Sequence, residues 1–126
     1  MPSQQRLERI ANRIHQDLSE MLIREVSDPR LTGVFITSVK VDRELAFADI
    51  HISAVEGKER AGEILAGLEH ASGYLRRMLA EGMELRVFPR LRFHWDATPE
   101  NADHIERLLA SLRDEKKVKP KDADNG

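Results

Sequence analysis

The sequence predicts an α+β domain in which helices cover one face of a three-stranded sheet. Three observations lead there. Two long segments, residues 4–26 and 59–81, repeat apolar residues at i, i+3, i+4 spacing, the mark of an amphipathic helix. Three short segments, 34–41, 45–55 and 90–96, alternate apolar and polar residues, as half-buried strands do. The first two strands are joined by only a few residues, so they are expected to pair antiparallel, and the sheet is expected to be of antiparallel type throughout.

The first helix carries Leu7, Ile10, Ala11, Ile14, Leu18, Met21 and Leu22 on one face, with Ser3 placed to cap it. Arg6, Arg9 and Arg13 form a basic stripe beside that face. Asp28-Pro29 stops the helix, because proline disfavours the helical conformation in the residue before it. In the first strand Phe35, Thr37, Val39 and Val41 are expected on one face and Ser38 and Lys40 on the other. In the second, Ala46, Ala48, Ile50, Ile52 and Ala54 oppose Phe47, Asp49, His51 and Ser53.

The second long helix holds an anomaly. Its face runs through Ile64, Leu65, Leu68, Ala71, Leu75, Met78 and Leu79 and keeps phase across Gly73. A glycine inside a helix costs about 1 kcal/mol against alanine. Gly73 is therefore expected either to allow close packing or to mark a bend. Gly82 suits the C-terminal cap. In the third strand Leu91, Phe93 and Trp95 are expected inward, with Arg90, Arg92, His94 and Asp96 outward. Thr98-Pro99-Glu100 opens a last helix with an apolar face of Ile105, Leu108, Leu109 and Leu112. Residues 1–113 are expected to form one domain, and the charged tail 114–126 to be disordered.

The absence of cysteine rules out disulfides, thiolate metal sites and a cysteine nucleophile. No apolar run approaches the roughly 18 residues of a membrane span. The N-terminus has no apolar signal-peptide core, so a soluble cytoplasmic protein is expected. The net charge of −2 excludes a uniformly basic nucleic-acid binder and leaves room for a basic patch. No pair of the five histidines has zincin spacing. Asp49, His51 and Ser53 share a strand face, but neighbours two apart on one strand do not give an in-line catalytic triad. No glycine-rich phosphate loop is present. Neither catalysis nor a metal or other cofactor is expected.

Arginine carries the remaining chemistry. Arg76, Arg77, Arg86, Arg90 and Arg92 fall in a segment interrupted by only the acids Glu81 and Glu84. Guanidinium suits forked phosphate recognition better than ammonium does. A charged sheet edge kept soluble would have the same composition, as would a solvated helix flank at Arg6, Arg9 and Arg13. With Tyr74 and Trp95 the only residues of their kinds, base stacking on an aromatic sheet is not supported.

Three motifs in order resemble a known family. They are Asp28-Pro29-Arg30-Leu31, the Ala-x-Gly of Ala71-Ser72-Gly73, and Arg86-Val87-Phe88-Pro89-Arg90-Leu91-Arg92-Phe93-His94-Trp95-Asp96, which follows R-x-x-P-x-L-x-F-x-x-D. Together they resemble ribosome-binding factor A over roughly residues 5–112. The resemblance implies a type II KH-like fold, α-β-β-α-kink-α-β, in which a helix–kink–helix at Ala71, Ser72 and Gly73 replaces the KH glycine loop. It also implies a monomeric, non-enzymatic bacterial assembly factor. Such a factor binds the immature small (30S) ribosomal subunit and its 16S rRNA, and supports late rRNA maturation, including in the cold. It takes no small-molecule substrate and does not bind membranes. The resemblance places Ser72, Gly73, Arg76 and Arg77 on the RNA-facing side. The remaining arginines rest on charge alone, and the alternative reading is a protein–protein adaptor.

Overall fold

The computed structural model describes residues 3–24, 26–99, 106, 107 and 109–113. The chain divides into two units, Met1–Asp96 and Ala97–Gly126. In the first, helix α1 (Gln4–Arg24) leads to strands β1 (Val34–Val41) and β2 (Phe47–Ala54), then helix α2 (Ala61–Glu81) and strand β3 (Arg90–Trp95). In the second, residues 98, 99, 106, 107 and 109–113 are helical. Glu100, Ile105, Leu108 and the tail 114–126 lie outside the described residues.

Ser3 caps α1 as its chemistry predicts: its hydroxyl accepts from the Arg6 amide at 3.1 Å. All seven residues of the α1 apolar face are buried. They pack with Ala48, Ile50, Ile52 and Ala54 of β2 and Ile64, Leu68, Leu75 and Leu79 of α2 into one core.

The sheet departs from the antiparallel expectation. Its order is β1-β2-β3; β1 pairs antiparallel with β2, but β3 runs parallel to β2. The reason lies in the connection. The chain leaves β2, crosses as α2 and returns to the strand position beside β2, and a helical crossover of that kind joins parallel neighbours. The sheet is therefore mixed.

The phase of β1 also differs. Phe35 and Thr37 do not share a face with Val39 and Val41. The register slips between Ile36 and Ser38, so Thr37 is an extra residue in a bulge. Upstream of it Ile36 points into the core and Phe35 is exposed; downstream Val39 and Val41 point inward. The Thr37 hydroxyl lies 2.6 Å from Asp96 Oδ2, which ties the bulge to the end of β3. The link before β2 spans residues 42–46. Asp42 Oδ1 accepts from the amides of Ala46 (2.7 Å) and Phe47 (3.2 Å), and Leu45 takes the left-handed conformation at φ 58°.

The expected kink at Ala71, Ser72 and Gly73 does not interrupt the helix. Hydrogen-bonded α-helix runs unbroken from Ala61 to Glu81 through Ala71, Ser72 and Gly73. The apolar face keeps its phase across Gly73, so Leu68 and Leu75 are both fully buried and hold the two halves to one core. The Ser72 hydroxyl donates back to the Glu69 carbonyl at 2.9 Å, which spends its one donor within the helix.

Candidate nucleic-acid interface

The Asp28-Pro29-Arg30-Leu31 motif builds a support rather than a binding surface. It folds as a 3₁₀ turn in which Asp28 Oδ1 accepts from the Arg30 amide at 2.9 Å. The Arg30 guanidinium closes on the same carboxylate at 2.7 Å and holds its pKa below the usual value. Leu31 is thereby driven against α2 and buried. Gly67 receives it: a Cβ there would stand 3.1 Å from Leu31 Cδ2. Arg60 locks the same corner, donating to the carbonyls of Thr32 and Arg30 and pairing with Glu56 and Glu63.

Gly73 has the opposite surroundings. It is exposed, and among the described residues no atom beyond its chain neighbours and the local helix backbone lies within 4 Å of where a Cβ would sit. Close packing inside this chain therefore does not explain it. Next to it Tyr74 is 40% exposed, and the Arg77 guanidinium lies 5.8 Å from that ring. The stretch Gly73-Tyr74 with Arg77 is a small, open helix surface bearing one cation and one aromatic ring.

The arginines singled out from the sequence fall into two groups. Three are held by the chain itself. Arg13 pairs with Asp17 at 2.8 Å and donates to the Gly82 carbonyl at 2.9 Å. Arg76 donates to the carbonyls of Phe88 (2.6 Å) and Pro89 (3.2 Å). Arg92 forks onto Asp49 at 2.9 and 3.0 Å, with its guanidinium 3.9 Å over the Phe47 ring. Arg6, Arg9, Arg86 and Arg90 are exposed and have no ion pair or side-chain hydrogen bond among the described residues. Arg77 joins them apart from its contact with Tyr74.

Two of the segments meet. Arg6, Arg9 and Arg13 of α1 line a shallow cleft of about 510 Å³ with Gly82, Met83, Glu84 and Leu85, the chain just beyond α2. The sequence placed these segments apart. The bond from Arg13 to Gly82 O joins them, and the Arg86 backbone follows directly. Gly82 caps α2 at φ −91°, in a conformation open to any residue, and offers its carbonyl to this bond.

On the sheet face that carries Arg92, the Asp49 carboxylate has two partners. Besides Arg92, His94 reaches Asp49, with Nε2 2.7 Å from Oδ1, and the His94 ring stacks on His51 at 4.9 Å. Hydrogen bonding from Arg92 lowers the Asp49 pKa, against partial burial, with His94 adding to the effect. The sequence hid this neutralisation of Arg92, because Asp49 faces Arg92 only in the parallel register. Among the described residues no group of three or more histidine, aspartate or glutamate side chains could hold a metal ion, and no helix is long and apolar enough to cross a membrane.

Comparison with known proteins converges on one family. A profile described as ribosome-binding factor A matches residues 6–109. Ribosome-binding factor A of Alcanivorax borkumensis is 37% identical over 96% of this chain and 90% of its own length. That of Hahella chejuensis is 40% identical over 86% and 84%. Among solved structures, a Thermotoga maritima putative ribosome binding factor A superposes with a TM-score of 0.64 at 26% identity, covering 75% of this chain and 90% of that one. A Thermus thermophilus ribosome binding factor A homology model, fitted into the cryo-EM map of a 30S complex, gives 0.52 at 28% identity, over 68% and 96%.

Proposed function

The chain belongs to the ribosome-binding factor A family, and from that premise we propose that it binds the immature 30S subunit through 16S rRNA. It acts there as a cytoplasmic assembly factor without catalysis. The observation that carries this reading is the cleft where Arg6 and Arg9 meet the chain beyond α2, with Arg86 next in sequence. Exposed guanidinium groups without acidic partners are available to phosphate, whereas paired ones must first break a bond. A patch of this kind explains RNA affinity in a chain whose net charge is −2. A Thermus relative fitted into a 30S complex supports the choice of partner. Support of late 16S rRNA maturation, including in the cold, completes the reading.

The test is the salt dependence of binding to purified immature 30S subunits. Phosphate contacts release counterions, so affinity falls steeply with salt, and each contact removed lowers the slope by about one. Arg6→Gln and Arg9→Gln are expected to lower it; Arg92→Gln is not, because Arg92 already serves Asp49. Salt-independent binding would instead favour the protein–protein adaptor. That alternative draws on a second cleft, where Ile23, Phe35 and Val55 are exposed. Ile23 stands about 21 Å along α1 from Arg9, fourteen residues at 1.5 Å each.

A further inference from the structure

Residues 82–89, between α2 and β3, have no regular structure, yet both ends are tied down by guanidinium groups. At the start, Arg13 of α1 donates to the Gly82 carbonyl at 2.9 Å. At the far end, Arg76 of α2 donates to the carbonyls of Phe88 and Pro89, at 2.6 and 3.2 Å. Phe88 and Pro89 are buried, and Met83 and Leu85 pack partly against the core. The middle points away: Arg86 is exposed, and Val87 is 64% exposed although valine gains nothing from water. Arg90, the first residue of β3, follows the second tie and is also exposed.

From this we infer that segment 82–89 is a positioned recognition strap of the RNA interface. Its contacting tip is Arg86 with Val87, and its positioning residues are Arg13 and Arg76. The inference rests on the RNA-binding reading and refines it, because it moves Arg76 from phosphate contact to support. Arg76 has spent Nε and one Nη on carbonyls, and leaving those part-buried carbonyls unpaired opposes its release to a phosphate. Arginine suits the tie because one planar group reaches two successive carbonyls; lysine carries the same charge without the fork. A loop held at both ends has already lost the freedom that binding would otherwise remove, so its tip is pre-organised. The ligand chemistry is a phosphate beside an apolar sugar or base edge, which an irregular RNA segment offers.

The experiment compares Arg86→Gln, Arg76→Lys and the double variant R76K/R86Q. Affinity for purified immature 30S subunits is read across a salt series, at a temperature where circular dichroism shows each protein folded. R86Q is expected to weaken binding several-fold and lower the salt slope by about one. R76K keeps its charge, yet is expected to reproduce most of that loss, because the tip is no longer held. The double variant is expected to bind like R86Q alone, since both changes remove one contact. Additive losses with R76K and R86Q acting independently would show Arg76 touching phosphate itself and overturn the positioning role. Wild-type binding by R86Q would remove the strap from the interface, while salt-independent binding of the wild type would instead refute the RNA reading beneath it. If R76K does not fold, Arg13→Lys loosens the other tie and takes its place with the same outcomes.

Discussion

Gly67 and Gly73 lie six residues apart in one helix and answer to different constraints. At Gly67 a side chain would crowd its neighbours, because a Cβ there would stand 3.1 Å from Leu31 Cδ2 and 3.4 Å from Arg30 Cβ. At Gly73 no described residue outside the helix's own backbone comes within 4 Å of a Cβ, although a helix gains about 1 kcal/mol from alanine there. The first glycine serves packing. The second gives up stability for no internal contact, which directs attention to what the surface meets outside the chain. The arginines divide similarly: Arg76 and Arg92 complete the structure, while Arg77 and Arg86 face solvent.

Stability measurements can break or sharpen this contrast. The largest effect is expected at Leu31, the group Gly67 makes room for. Leu31→Ala empties a buried site and is expected to cost about 2–5 kcal/mol in urea denaturation. A loss under 1 kcal/mol would mean that the corner collapses easily and that Gly67 is not needed for its shape. Next come the paired glycine substitutions. Gly73→Ala is expected to stabilise by about 1 kcal/mol, while Gly67→Ala sets a similar propensity gain against a 3.1 Å approach to a buried leucine. Equal stabilisation by both would erase the distinction between the two halves of α2.

The order of elements, the faces of α1 and β2, and the Ser3 cap were legible because each rests on local chemistry and a repeat of fixed period. The polarity of β3 is legible as well, because a helical crossover through α2 joins parallel neighbours. The bulge at Thr37 was hidden, since an inserted residue leaves alternation intact on both sides and only the pairing reveals it. The candidate site was half legible. Composition marked the basic segments, but Asp49 opposite Arg92 and the carbonyls beside Arg76 are non-local. The difference between Gly67 and Gly73 is not legible, because periodicity does not say which glycine another residue approaches.

The smallest expected effect concerns the internally paired arginine. The carboxyl of Asp49 has its pKa held below 3.8 by Arg92, so the pairing stabilises the fold above that ordinary value. The contribution is lost as pH falls from about 3.8 through the depressed pKa of the folded state. Asp49→Asn is therefore expected to flatten the acid limb of a stability–pH profile. An unaltered acid limb would show that Arg92 is not committed to Asp49 in solution.

The most direct measurement places bulk on the open glycine. Gly73→Leu adds a side chain where the chain leaves room and where a helix favours leucine over glycine. Its melting temperature is expected at or above wild type. Its affinity for purified immature 30S subunits is expected to fall about tenfold or more, a loss of at least roughly 1.4 kcal/mol. Wild-type affinity in this folded variant would contradict the account, because the surface around Gly73 would then meet nothing.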